Sequence, residues 1–183
     1  MKIQKGEKGY IRRKKAVQTI VVLVFVAAGL SLFFLCRTIL GTSRNLGTVV
    51  AVLLTLPAAK ALVNLILFLP FKSTDESLGE SVKPLIRPDD KAYYDLVFTS
   101  PESIMHLDFL CVRETEMMAY SEDGKKIEKI VSYFTDSIAK RGVTVHMHVF
   151  RNKEELLNRL RDCDREGQVP EEITGFIHMV LVK

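Results

Sequence analysis

The chain has 183 residues, of which 48% are hydrophobic and 26% charged, with ten Gly, six Pro, three Cys and no Trp. This composition excludes a disordered tail and a disulfide scaffold. The net charge of +4 combines two opposite parts, because residues 1–72 carry eleven Lys or Arg against one acid and residues 73–183 carry fifteen against twenty-one. The part without long apolar runs is acidic, which argues against a nucleic-acid partner.

The first long apolar run, residues 16–35, contains twenty residues and no charge. At 1.5 Å per residue, a helix of this length matches a hydrocarbon core of about 30 Å, so the run predicts a transmembrane helix. A cleaved signal peptide is the alternative, but its apolar region is about 7 to 15 residues long and ends in a small-x-small site. This run is longer and ends in Phe33, Phe34 and Leu35.

The second apolar run, residues 47–70, predicts another transmembrane helix. A Lys near its centre costs about 2.5–3.5 kcal/mol on insertion scales, and some dozen Leu, Ile, Val and Phe at about 0.3–0.6 kcal/mol each offset that cost. Pro57 removes a backbone donor, which predicts a kink near Leu53 and a freed carbonyl that Thr55 or a neighbouring helix can bond.

Small and polar side chains mark two faces of this second helix. A small residue recurs at every fourth position, which predicts a face where another backbone approaches closely. These residues are Gly47, Ala51, Thr55 and Ala59. Two interpretations stay open, packing of a hairpin within one chain and a seam between copies. Lys60 and Asn64 share another face of this helix. Two interpretations of this intramembrane cation stay open: its side chain reaches toward the interface and bonds backbone carbonyls, or it lines an ion or substrate path.

The short connection between the two runs, residues 36–46, predicts an antiparallel transmembrane hairpin. Residues 1–15 carry seven Lys or Arg and residues 72–91 carry four, whereas the connection carries two. Positive residues stay inside, so both termini are predicted to be cytoplasmic and the protein to be a multi-pass plasma-membrane protein. In that compartment Cys111 and Cys163 are expected to be reduced.

Residues 71–91 are polar, contain two Pro and have no sustained period, so they predict a linker. Residues 92–183 then predict a small cytoplasmic α/β domain of order β-β-β-α-β-α-β, with one sheet and two helices. The strands are predicted at 94–99, 104–112, 115–121, 143–150 and 174–182, and the helices at 125–141 and from 152 to about 164.

Two of these helices carry recognisable end signals. Ile127, Ile130 and Phe134 follow the spacing of a buried helical stripe, and Gly142 stands where a left-handed C-cap is expected. Asn152 precedes the next helix as an N-cap.

Three histidines form the most site-like pattern in the domain. His146 and His148 lie two apart on a predicted strand, so their side chains share one face, and His178 on the last predicted strand can supply a further ligand. This spacing indicates a zinc site. The alternative is that the histidines lie in solvent or beneath a helix edge and bind no metal, in which case the protein has no cofactor.

Acidic residues on the first three strands suggest metal-dependent nuclease chemistry, but the lysine expected two residues after a strand acid is missing. These acids are Asp95, Asp108, Glu114 and Glu116. The sequence contains no glycine-rich phosphate loop, nucleophile elbow or CxxC pair. No catalytic residue is therefore assigned, and Cys111 is interpreted as a small buried hydrophobe.

Three short segments carry a family resemblance: Asp95-Leu96-Val97-Phe98, Met118-Ala119-Tyr120, and Gly142-Val143-Thr144-Val145 followed by Phe150. With the architecture, they resemble a group of uncharacterised two-span membrane proteins of gut Gram-positive bacteria, some labelled O-linked GlcNAc-transferase-like. That label implies sugar transfer from a nucleotide donor. Asp162-Cys163-Asp164 is the only Asp-x-Asp in the chain, and it falls at the end of an amphipathic helix.

The sequence therefore favours a membrane protein whose hairpin presents a cytoplasmic α/β domain for binding or regulation, without an identified reaction. Membrane lipids, a protein partner or a second copy are the expected partners. A small membrane-anchored enzyme of the glycosyltransferase-like kind and a metal-binding domain are the alternatives.

Overall fold

The fold is taken from a computed structural model, which describes residues 7–40, 46–100, 104–122, 124, 126–164 and 167–181. The chain divides into two compact units. One contains Ile11–Lys72. The other contains Met1–Tyr10 together with Ser73–Lys183.

The first unit consists of apolar helices. Helix α1 comprises Tyr10–Leu40, and the second run forms α2, Leu46–Leu53, and α3, Thr55–Phe68. The break falls at Leu54, as the position of Pro57 predicts. The Thr55 hydroxyl donates to the Val52 carbonyl oxygen at 2.6 Å. Two helices, Tyr10–Ile39 and Gly47–Phe68, are long and apolar enough to cross a membrane.

Contacts at two levels show that α1 runs antiparallel to α2 and α3. Near the start of α1, Lys15 Nζ donates to the carbonyl oxygens of Leu69 at 2.9 Å and Phe71 at 2.7 Å, just beyond the end of α3. Further along, a Cβ atom at Gly29 would lie 3.5 Å from the Ala51 carbonyl oxygen. That distance is an ordinary van der Waals contact, so α1 and α2 pack closely at this level. Of the predicted connection 36–46, residues 41–45 lie outside the described residues.

The second unit is an α/β fold built on a four-stranded mixed sheet in the order β1-β2-β3-β4. The first three strands are antiparallel neighbours, and β4 runs parallel to β3. Its elements are α4 Glu76–Val82, a 3-10 turn Lys83–Leu85, β1 Lys91–Thr99, β2 Ile104–Arg113, β3 Glu116–Tyr120, α5 Ile127–Ala139, β4 His146–Phe150, α6 Lys153–Asp162 and α7 Glu171–Val180.

Helices cover both faces of the sheet. On one face, Ile130 and Phe134 of α5 and Phe176 of α7 pack in one apolar cluster with strand residues such as Leu110 and Met117. The opposite face carries a second apolar cluster, which contains two residues of α4, two of α6 and several strand residues. These residues include Leu78, Val82, Leu156, Leu160, Phe109 and Met118. The unit thus has three layers and a filled core on each side of its sheet.

The predicted order of the first three strands, α5, β4 and α6 is confirmed. Gly142 has a φ of 85°, as expected of a left-handed C-cap, and the Asn152 side chain accepts the Glu154 N–H at 3.0 Å. The last predicted strand, 174–182, is wrong, because most of it lies in helix α7. Its buried residues Ile173, Phe176 and Ile177 follow helical spacing against α5.

The segment expected as a linker also differs from expectation. Helix α4 and the 3-10 turn occupy much of residues 71–91, and Leu78 and Val82 are buried in the second apolar cluster. Asp75 caps α4, because its side chain accepts from the Ser77 N–H. A segment of mostly polar residues without a clear period therefore contains one short helix with a buried apolar side.

Candidate functional site

Two buried polar clusters join residues 73–90 to the sheet. The first centres on Asp95 of β1, which is 1% exposed. Its carboxylate accepts hydrogen bonds from Ser73 Oγ at 2.6 Å and from the Thr74 backbone N–H at 2.6 Å. Thr74 Oγ1 lies 2.7 Å from the same carboxylate and also bonds the main-chain oxygen of Asp108. Ser73 and Thr74 are therefore fixed to β1 and β2.

An irregularity in the sheet creates this cluster. The ladder pairs Tyr94 with Phe109 and Leu96 with Leu107, but it contains no pair between Asp95 and Asp108. Asp95 has a φ of 51°, in the left-handed region where Asp is among the better tolerated residues. The carboxylate is thereby available to the segment that folds back over these strands.

The first cluster also shifts the pKa of Asp108, whose main-chain oxygen is bound by Thr74. Its Oδ2 accepts the Glu122 N–H at 2.8 Å, and Oδ1 lies 3.9 Å from His106 Nδ1. Burial raises the pKa of Asp108 above its ordinary value, and the Glu122 and Asp95 carboxylates raise it further, while the Glu122 N–H and His106 oppose the shift. Ionisation of Asp108 is therefore costly in the folded state.

The second cluster is a buried ion pair between Asp90 and Arg113 at the end of β2. Arg113 NH2 lies 2.8 Å from Asp90 Oδ2, and both side chains are only 2% exposed. Arg113 Nε donates to both carboxylate oxygens, at 3.0 and 3.2 Å, and the Arg87 backbone N–H donates to Oδ2 at 2.9 Å. The hydrogen bond to Asp90 raises the pKa of Arg113, so the guanidinium stays protonated.

The rest of the Arg113 guanidinium binds backbone carbonyls. NH1 donates to Leu160 O at 3.0 Å and Cys163 O at 2.8 Å, and NH2 donates to Leu85 O at 3.1 Å. Arg87 donates a further bond to Cys163 O at 3.1 Å. Carbonyls at a helix end lack partners within the helix, so Arg113 both caps α6 and ties it to the 3-10 turn.

Cys111 and Cys163 lie beside this ion pair as free, buried thiols. Cys111 Sγ is 3.9 Å from Asp90 Oδ2. Burial, together with the Asp90 charge, raises the pKa of Cys111 to about 12. A thiol with this pKa is protonated at neutral pH and is a poor nucleophile. The Asp162-Cys163-Asp164 segment forms the end of α6, where the Cys163 carbonyl is bound by Arg113.

The chemistry of both clusters is therefore structural. Their charges and hydrogen bonds lie inside the fold, and their partners are other side chains and backbone groups of the same unit. They hold residues 73–90 against the sheet, and the charged side chains at their centres, Asp95, Asp108, Asp90 and Arg113, are buried.

The three histidines of the predicted zinc site lie on two different faces of the sheet. His146 and His148 are exposed on β4, on the face opposite Met147, and His148 Nε2 lies 3.8 Å from Glu116 Oε2. His178 lies on α7, whose buried residues belong to the other apolar cluster, and its ring contacts Tyr93 edge-on at 6.0 Å. Within the described ranges, no three His, Cys, Asp or Glu side chains are grouped around a possible metal position.

The predicted acidic residues are likewise separated. Asp95 and Asp108 belong to the first polar cluster, whereas Glu114 lies in the turn between β2 and β3 with a φ of 54°. Glu116 is buried, and its Oε2 lies 3.6 Å from Arg159 NH2. A nearby arginine disfavours a cation at Glu116.

The four small residues of the second helix divide at the helix break. Ala51 is buried opposite Gly29 and Gly47 is half-buried, whereas Thr55 and Ala59 are exposed. The burial of Gly47 and Ala51 favours packing of the two helices within one chain. Lys60 is exposed on α3 and Asn64, one turn later, is half-buried.

The sequence interpretation missed Thr74, Asp90 and Arg113 as a group. Asp90 and Thr74 fall within polar residues that were read as a linker, and only the fold-back of that segment brings them to the sheet. One signal was present, because Arg113 directly follows the apolar strand residues Leu110, Cys111 and Val112. A charge at the end of a buried strand indicates a partner nearby.

Comparisons with protein-family models, curated proteins and solved structures find no match to this chain.

Proposed function

We propose that this protein is a two-span membrane protein that presents an α/β unit for binding or regulation at the membrane surface. One observation supports this proposal above all. In the described part of the chain, every exposed large hydrophobic side chain except Met179 lies between Val17 and Leu69, along the two apolar helices. A monomer in water exposes only a few hundred Å² of contiguous apolar surface, whereas lipid solvates such a surface without cost.

The charge distribution supports a cytoplasmic position for both ends. Basic residues are concentrated before α1 and after α3, and they are few in the connection between the helices. The unit that contains Ser73–Lys183 also contains the residues before α1, and Lys8 Nζ donates to the Glu76 carbonyl oxygen at 3.2 Å. The chain therefore leaves this unit at α1 and returns to it after α3, as a hairpin with both ends on one side requires. We place the hairpin in the plasma membrane.

The buried polar groups support a binding or regulatory role over a catalytic one. Asp95, Asp90 and Arg113 bind other parts of the fold, and Cys111 is a protonated, buried thiol. Catalysis needs titratable groups that reach a substrate. In this proposal, a partner binds the surface of the α/β unit, and lipid contacts the two apolar helices.

Two measurements test the proposal. Washing membranes with alkaline carbonate should leave the full chain in the pellet. In a variant whose native cysteines are replaced by Ala, a cysteine at Ser43 should react with an impermeant thiol reagent in intact cells. A cysteine at Glu155, which is exposed on α6, should react only after permeabilisation.

The opposite labelling pattern, or release of the chain by carbonate, would contradict the proposal. Stoichiometric zinc in the purified protein would instead favour the metal-binding alternative. Transfer of a sugar from a nucleotide donor would favour the enzyme.

A further inference from the structure

Lys60 presents a positive charge on the outer face of an apolar helix. It is exposed on α3, between Leu56, which is 66% exposed, and Val63, which is 62% exposed. Residues three and four apart share a helix face, so these side chains form one surface. Among the residues that the structure describes, Lys60 has no hydrogen bond and no ion pair. The described residues of the two apolar helices therefore supply no partner for this charge.

The position of Lys60 along the helix makes contact with lipid headgroups difficult. It lies thirteen residues after Gly47 and eight before Phe68, the ends of the apolar helix, so the two ends are about 20 Å and about 12 Å away. A helical side chain also tilts toward the N-terminus of its helix, here away from the nearer end. The four-carbon stem of Lys is shorter than either distance.

A second copy of this chain has no acid with which to neutralise the charge. The sequence contains no Asp or Glu between Glu7 and Asp75, a stretch that includes both apolar helices. A homo-oligomer would therefore place two lysines in the same apolar layer without a counter-charge. Ionisable residues within membranes pair with one another or with backbone carbonyls, or face an aqueous cavity. Among the described residues, no backbone carbonyl bonds Lys60.

We infer that the face of α3 formed by Leu56, Ala59, Lys60 and Val63 binds a transmembrane helix of a different protein, and that this helix carries one Asp or Glu at the depth of Lys60. This inference rests on the proposed membrane function. The ammonium of Lys60 donates to the partner carboxylate, so two charges that are each costly in hydrocarbon become one hydrogen-bonded pair. The small side chain of Ala59 beside Lys60 allows the partner backbone to approach.

Site-specific photocrosslinking in native membranes tests this interface. The full chain carries a photoreactive phenylalanine analogue at Val63, or at the control position Val24, which is 59% exposed on α1. The expected result is a crosslink from Val63 to a different polypeptide whose apolar segment contains Asp or Glu. The yield should fall at least tenfold in Lys60→Met and persist in Lys60→Arg, and the Val24 position should not give this product. Exchange of the two charges is a further test. Lys60→Asp combined with a change of the partner acid to Lys should restore the crosslinked product.

Several outcomes would overturn the inference: crosslinks from Val63 to other copies of this chain, crosslinks to lipid alone, no product, a partner without an intramembrane acid, or a yield that Lys60→Met leaves unchanged. Each sample is also washed with carbonate. Release of the unmodified chain would refute the proposed membrane function. Retention together with one of the outcomes above would refute only the interface.

Discussion

Removal of the buried Asp90 carboxylate should destabilise the α/β unit more than removal of an exposed carboxylate next to it. In Asp90→Ala, the buried Arg113 guanidinium keeps its bonds to three backbone carbonyls but loses the carboxylate with which it pairs. Breaking a buried ion pair by removal of one partner costs about 3–5 kcal/mol. A domain is stable by about 5–15 kcal/mol in total, so the loss is a large fraction. At about 4 °C per kcal/mol for a unit of this size, the melting temperature should fall by about 12–20 °C.

The chain offers a matched control in the adjacent residue. Asp89 is exposed, so Asp89→Ala removes the same chemical group without breaking a buried pair and should change stability by less than about 0.5 kcal/mol. Both variants are made in the full chain, purified in detergent and unfolded with urea. Near-UV circular dichroism follows the tyrosines, since the chain contains no Trp.

A double variant separates the pair from its individual groups. Arg113→Met alone leaves the Asp90 charge buried, whereas Asp90→Ala with Arg113→Met removes both charges. The double variant should lose less stability than the sum of the single variants, by about 2–3 kcal/mol. If Asp90→Ala is as stable as Asp89→Ala, or if the single losses simply add, the buried pair does not hold residues 73–90 as we argue.

Three further predictions concern the same unit, and each is measured by thermal unfolding of the full chain. Thr74→Val should cost about 1–3 kcal/mol, because Asp95 and the Asp108 carbonyl lose a buried hydroxyl partner. Gly142→Ala should cost about 1–2 kcal/mol, since an L-residue is strained at a φ of 85°. Because the folded-state pKa of Asp108 is raised, its contribution favours folding most below an ordinary value of about 4 and is lost as the pH rises through the folded-state pKa. Asp108→Asn should therefore weaken the fall in stability as the pH rises above about 4.

Each of these predictions has an internal check. Ser81→Ala removes a hydroxyl whose bond to the Ser77 carbonyl oxygen is exposed, so it should cost less than Thr74→Val, which removes a buried one. Gly142→Asn should recover part of the loss of Gly142→Ala, because Asn tolerates the left-handed region better. An unchanged pH profile in Asp108→Asn would show that other groups control the acid dependence.

The parts of the fold that were predictable have signals within a few residues. Ile127, Ile130 and Phe134 specify the buried face of α5, and Gly142 marks its end. Pro57 places the break in the second apolar helix one residue from the expected position. In each case the deciding interaction is local, so propensity and spacing agree with the final structure.

The misses have a different physical origin. The apolar composition of residues 174–182 favours a strand, but their period does not. Glu171 and Glu172 favour a helix start, and Ile173, Phe176 and Ile177 have the spacing of a helix face. The polar clusters do not follow from local sequence, because Asp90 and Arg113 are 23 residues apart and their contact depends on the tertiary fold.

The polar clusters shorten the connection between α3 and the α/β unit, and this length matters for the proposed membrane function. An unstructured linker of about twenty residues would have a root-mean-square span of about 25 Å, which would let the domain search for partners well away from the bilayer. In the structure, α3 ends at Phe68 and Thr74 is already bonded to Asp95 and Asp108. Only residues 69–73 lie between them. Under the proposed membrane function, a connection of only five residues limits how far the α/β unit can move from the end of α3, so a partner of this unit would bind it near the bilayer.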